Sequence, residues 1–180
     1  GPDALNGNDP DFFQAAGPFR GYKTDLYEGG IRVPFLARWP GKFAAGTVNP
    51  YPCAFWDFFP TAAELAGLPA PRGLDGQSLV PQLLARTPTT TTRETGLYWE
   101  RSDEKDGYLQ AARIGDWKAV RPAHKAPIEL YNLNSDAGEK TNVAAQQPEI
   151  RRKMEDFLAS AHRDARPQTS YPPKDGRRYY

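Results

Sequence analysis

Hydrophobic and polar positions along this chain follow two periods, and each predicts a different half of the fold. Residues 31–39 (IRVPFLARW) are β-branched and apolar, which predicts a buried strand. Pro40-Gly41 ends it, and 43–52 reads as extended or looped. Pro50-Tyr51-Pro52 bars a helix from starting before Ala54. Residues 56–66 then show helical spacing, with Phe58, Phe59, Ala62, Ala63, Leu65 and Ala66 on one broad apolar face. Asp57 is the expected N-cap, Pro60 falls in the first turn, and Gly67 is the expected C′ residue. That face reads as core. A turn-rich connection, 70–76, leads to a short helix over 79–85.

The period changes after 88–92 (PTTTT), a β-branched, low-complexity stretch that reads as a linker. Short alternating segments follow at 95–100, 110–114, 117–121 and 129–133. Gly115-Asp116 is a two-residue hairpin loop of the Gly-X class, so these segments predict an antiparallel meander of four strands. Trp99, Trp117 and Tyr131 read as packing residues within it. Pro148 opens a last helix to about residue 163, with Ile150, Met154, Phe157, Leu158 and Ala161 on one face. That face should cover one side of the meander, which would otherwise stay wet. Residues 165–180 have no period and read as a tail.

Composition adds limits. At 180 residues, with 39% hydrophobic residues and a mean hydropathy of -0.70, the chain is lean for a self-sufficient core. Eighteen prolines and sixteen glycines favour turns. A net charge of +1, with cations scattered among acids, argues against a nucleic-acid partner. One cysteine excludes an internal disulfide framework. No apolar run approaches the roughly 20 residues of a membrane helix.

Candidate chemistry is sparse. His124 and His162 are the only histidines, and neither neighbours a nucleophile elbow. His162 reads as a helix-end cation and His124 as a solvated side chain. Glu100, Asp103, Glu104 and Asp106 read as a solvated hairpin rather than a catalytic carboxylate pair. Asp3, Asn6, Asn8, Asp9 and Asp11 offer oxygen ligands, but turn chemistry explains them more simply than calcium. The densest stretch is 17–34, GPFRGYKTDLYEGGIRVP. Gly29-Gly30 would supply positive φ there, and Lys23 projects from the loop. By residue chemistry Lys23 is either a solvated cation or a donor to an oxyanion.

Blocks of the sequence resemble type I sulfatases of the alkaline-phosphatase superfamily, of the arylsulfatase or N-acetylgalactosamine-6-sulfatase kind. The first is GPFRGYKTDLYEGGIRVPFLARWPGK at 17–42. DFFPTAAELAGLP (57–69), LDGQSLVPQL (74–83), LYWE (97–100), RIGDWKAVR (113–121), ELYNL (129–133) and DAGEKTNVA (136–144) follow in the family order. The resemblance implies an α/β fold: the end of a large catalytic domain at 1–87, a linker at 88–94, and a small α+β subdomain at 95–164 with a four-stranded antiparallel sheet and C-terminal helix. It implies that Lys23 contacts the sulfate ester, and that Asn8, Asp9, Arg101 and Lys105 border the substrate. The family's nucleophile is a formylglycine made in a C/S-x-P/A-S-R motif, which this chain lacks; Cys53 has the wrong neighbours. The calcium-binding Asp-Asn pair would fall just before Gly1.

The expectation is therefore a C-terminal sulfatase fragment, inactive alone, with formylglycine and calcium ligands upstream. The group that protonates the leaving oxygen stays unassigned. The implied partners are a sulfated carbohydrate or aryl sulfate and the missing N-terminal part of the domain. The implied location is periplasmic or secreted. A phosphodiesterase or phosphonate hydrolase of the same superfamily, or a non-catalytic carbohydrate-binding or packing module, are the alternatives.

Overall fold

The computed structural model describes residues 2–3, 9–87, 92–93, 95–103 and 107–164. Asn8, Lys105, most of the expected linker and the expected tail lie outside them. Among the described residues, four helices and four strands run in the order α1 (Glu28–Ile31), α2 (Phe58–Leu65), α3 (Val80–Leu84), β1 (Leu97–Asp103), β2 (Gly107–Ile114), β3 (Trp117–Arg121), β4 (Glu129–Asn132) and α4 (Pro148–Ala161). A 3-10 turn, Phe55–Asp57, precedes α2.

The four strands form one antiparallel sheet in the order β1-β2-β3-β4. Gly115 takes φ +59 at the β2–β3 turn, as its Gly-X loop requires. The register aligns Ala112 with Ala119 and Ala119 with Leu130, while Ala111 faces Val120 and Lys118 faces Tyr131. Side chains alternate between faces along each strand. Ala112, Ala119 and Leu130 therefore meet Met154 and Leu158 of α4, with Ile150 and Phe157 at the margin. Ala111, Val120 and Tyr131 meet Leu26 on the opposite face, with Tyr27, Ile31, Trp99 and Leu109 around them. Helix α4 thus covers one face of the meander, and the loop before α1 covers the other.

The first half departs from the sequence reading. Residues 32–39 form no strand; Phe35 is 56% and Leu36 93% exposed. A strand exists only through ladder bonds to a neighbour, and no described segment pairs with this run. The aromatic face of α2 is likewise not core: Phe58 is 70% exposed, and the buried residues of α2 are Pro60 and Thr61. The spacing was helical, but no described element lies over that face. Gly67 does end α2 with φ +70, and Leu68 N–H reaches back to Ala63 O at 2.9 Å.

Asp57 holds the N-cap position of α2, but its side chain makes no capping bond there. It is fully buried, and its oxygens accept the N–H groups of Ala54 and Gln77, each at 2.8 Å. Gly29 and Gly30 do not take positive φ either; both lie in α1. Their value is closeness. A Cβ on Gly29 would fall 2.1 Å from Gly21 O, and one on Gly30 2.2 Å from Asp25 O. Between Arg20 and Ile31 the left-handed positions are Gly21 at φ +81 and Thr24 at φ +82.

Candidate functional site

Lys23 stands at the tip of a tight turn. Asp25 Oδ2 accepts Tyr22 N–H at 2.8 Å, and Asp25 N–H donates to Tyr22 O at 2.9 Å. The side-chain carboxylate thus closes the turn that the backbone opens. Thr24, a β-branched residue at positive φ, is held in a costly conformation by this closure. The base of the loop is shut by Gly29 N–H on Arg20 O at 2.7 Å. Lys23 N–H bonds Pro2 O at 2.8 Å, and its ammonium donates to Asp3 Oδ2 at 3.0 Å. Its side chain stays 56% exposed. The lysine therefore already grips a carboxylate oxygen, in a geometry open to water.

Two polar anchors fasten this loop to the sheet. At one, Arg20 Nη1 donates to Tyr131 Oη at 2.8 Å and Glu139 O at 3.2 Å, and lies 3.5 Å from Glu129 Oε2. Its guanidinium sits 3.8 Å from the centre of the Tyr27 ring. The hydroxyls of Tyr27 and Tyr131 both donate to Glu129 Oε2, at 2.7 and 2.6 Å. Burial first, and then the bond to the Glu129 carboxylate, push both phenols well above their ordinary pKa. They remain protonated donors.

The second anchor is fully buried. Lys118 Nζ lies 2.9 Å from Glu28 Oε1 and 3.1 Å from Glu139 Oε1. Glu139 Oε2 accepts the backbone N–H of Glu28 at 2.7 Å. Desolvation raises the pKa of Glu139, and the neighbouring Lys118 ammonium opposes that rise. The sequence reading missed all three side chains. Lys118 shares a strand face with Val120, and an unexplained charge at an inward position was the one available signal.

The other expected site residues divide. Asp9 is exposed, and its Oδ1 accepts Asp11 N–H and Phe12 N–H at 3.1 and 3.0 Å. This is turn chemistry. Asp11 in turn hydrogen-bonds the Tyr22 hydroxyl, which ties the Asp9 loop to the residue beside Lys23. Arg101 is exposed on β1 opposite Leu109, on the face that the Lys23 loop covers. Cys53 is half-buried and burial pushes its thiol pKa up, which makes it a poor nucleophile. Among the described residues, no group of three or more His, Cys, Asp or Glu side chains gathers as a metal site.

The histidines are less idle than the sequence suggested. His162 is the C-cap of α4, as expected, but its main partner is Glu100, with Nδ1 2.7 Å from Oε2. Its ring stacks on Tyr108 at 4.4 Å. His124 is not solvated; it is half-buried with its ring edge-on to Tyr108 at 4.7 Å.

Comparison with known proteins supplies the context for this loop. Residues 20–164 match the family model of the C-terminal part of N-sulphoglucosamine sulphohydrolase. Arylsulfatase K of Danio rerio is 32% identical over 145 aligned residues, covering 77% of this chain and 27% of that protein. The N-acetylgalactosamine-6-O-sulfatase of Bacteroides thetaiotaomicron is 31% identical, covering 88% of this chain and 32% of that protein. Human arylsulfatase A is 34% identical, covering 83% of this chain and 34% of that protein. Among solved structures, Ps i-CgsB superposes with a TM-score of 0.70 at 27% identity, over 80% of this chain and 32% of that one. The chain spans about a third of the length of the relatives it matches. With the match running from Arg20 through α4, the chain belongs to the sulfatases of the alkaline-phosphatase fold, as a member of their C-terminal family.

Proposed function

We propose that this chain is the C-terminal part of a hydrolase of sulfate monoesters, and that Lys23 donates its ammonium to the sulfuryl oxygens of the substrate. One observation carries the reading. On a turn anchored at both ends to the sheet, the Lys23 ammonium is aimed at an anionic oxygen, that of Asp3, at 3.0 Å. A sulfuryl oxygen presents the same acceptor with a similar partial charge. An ammonium held at that position gains most in strength as the departing oxygen takes up charge, which makes it a transition-state contact.

In this reading the calcium ligands and the formylglycine of the resemblance would come from outside this chain. When present, formylglycine supplies the nucleophile and calcium the charge neutralisation at sulfur. The contribution of this chain is the cation and its placement. The apolar run 32–39 and the bare face of α2 would dock on the rest of the polypeptide. The substrate proposed is a sulfated carbohydrate: one relative is a 6-O-sulfatase of N-acetylgalactosamine, and Ps i-CgsB has been solved with a neocarrahexaose. Asp9 and Arg101 would border it, with Asn8 and Lys105. A periplasmic or secreted location belongs to the same reading; no helix among the described residues is long and apolar enough to cross a membrane.

The test is turnover of p-nitrophenyl sulfate by the full-length gene product. Lys23→Ala should lower kcat by about 10²-fold or more, the cost of removing one oxyanion donor. Unchanged turnover would remove Lys23 from the site. Faster turnover of p-nitrophenyl phosphate than of the sulfate would move the activity to phosphate esters.

A further inference from the structure

Lys118, the second residue of β3, is fully buried, and the chemistry proposed for Lys23 makes no direct use of it. Its ammonium is shared between Glu28 and Glu139 at 2.9 and 3.1 Å. Glu28 is shared in turn with Arg32, 3.5 Å away. Two cations and two carboxylates therefore balance. Glu28 and Glu139 are 4% and 0% exposed, so loss of any one partner leaves charge stranded out of water.

The position of this cluster matters more than its energy. Helix α1 is four residues long and has no stability of its own. Its first N–H is satisfied by Glu139, and its first side chain by Lys118. Arg20 is pinned to Tyr131 and to Glu139 O at the other end of the loop. Only residues 21–27 lie between the two anchors, and Lys23 is among them. Glu139 serves both anchors from a left-handed backbone position, φ +52, within a turn closed by Asp136. A buried ion cluster is a poor source of stability compared with apolar side chains of the same size. What it supplies is direction, because an ion pair at the heart of a face admits one seating of the loop.

We infer that Lys118 is a positioning residue for Lys23: through Glu28 and Glu139 it fixes the base of the loop from which the Lys23 ammonium meets the sulfuryl oxygens. The inference rests on the role of Lys23 proposed above. It also specifies how the effect travels, along the backbone from Glu28 to Lys23 with four residues between them, and not through solvent or a shared ligand.

The test uses the full-length gene product. Lys118→Met alone leaves the buried Glu139 carboxylate without a cation and risks unfolding. The double variant Lys118→Met/Glu139→Gln removes one cation and one anion together. It leaves Glu28 with Arg32 and keeps an amide oxygen for Glu28 N–H. It should lower kcat on p-nitrophenyl sulfate by about tenfold or more, the scale of a small misplacement, and change KM less. Amide hydrogen exchange should speed up at 21–31 and stay slow at Leu130, Met154 and Leu158. Placed on Lys23→Ala, the same double change should cost less than about twofold, since residues acting as one unit are not additive. Equal losses in both backgrounds, or an unchanged kcat, would overturn the inference. Unchanged exchange at 21–31 would overturn the clamp whatever Lys23 does. Full turnover by Lys23→Ala would instead sink the contact reading, and the functional half of this inference with it.

Discussion

Arg93 grips Asp57 with both terminal guanidinium nitrogens, at 2.7 and 2.9 Å, and neither side chain is more than 2% exposed. The pair ties the helical half of the chain to the segment that enters β1. Asp57 binds Ala54 N–H and Gln77 N–H with the same two oxygens, so one carboxylate organises the 3-10 turn, the start of α2 and the approach to α3. Thr61 continues the network by accepting Leu79 N–H at 2.8 Å.

Breaking this pair should be costly. Arg93→Ala leaves a buried carboxylate without its cation, which is expected to cost about 3–5 kcal/mol. Arg93→Lys should recover only part of that, because an ammonium cannot span both oxygens. Urea unfolding of the three proteins measures this; a midpoint unmoved by Arg93→Ala would show that water replaces the guanidinium at no cost.

The contact between His162 and Glu100 should make stability depend on pH. The hydrogen bond to Glu100 is the main cause that raises the His162 pKa above 6.5. Asp164, 3.3 Å from Nε2, acts in the same direction, and Tyr108 stacks on the ring. A base whose folded pKa is raised binds its proton more tightly when folded. Its contribution is thus fully present below pH 6.5 and is lost as pH rises through the folded value. Melting temperatures across that window should fall with rising pH, and His162→Gln should flatten the fall. A wild-type profile that stays level there would mean that the contact is not charged.

Gly29→Ala should damage the loop without touching the α4 face. The added Cβ would meet Gly21 O at 2.1 Å and Arg20 O at 2.6 Å, and both are backbone atoms that cannot swing aside. A loss of about 1–3 kcal/mol is expected from overpacking, with faster amide exchange at 20–31. Exchange that speeds up instead around Met154 and Leu158 would show that the two faces of the sheet are not separable.

How much was legible beforehand depended on distance along the chain. The Gly115 turn, the four short strands and the Pro148 start of α4 are local events, each set by residues within a few positions. The C′ role of Gly67 is of the same kind. The run 31–39 and the face of α2 were misread because their patterns state only that a surface is apolar. Burial needs a second surface, and none of the described elements provides it.

Alone, the sequence determined the meander, its covering helix and a lysine on a glycine-bounded turn, because short-range periodicity and turn chemistry dictate these directly. Tertiary structure alone decided that Lys118 meets Glu28 and Glu139 across 90 and 21 residues, that Arg93 meets Asp57, and that His162 meets Glu100. Charges so far apart in the chain carry no mark of their partners, since the energy that pairs them appears only once water has been excluded between them.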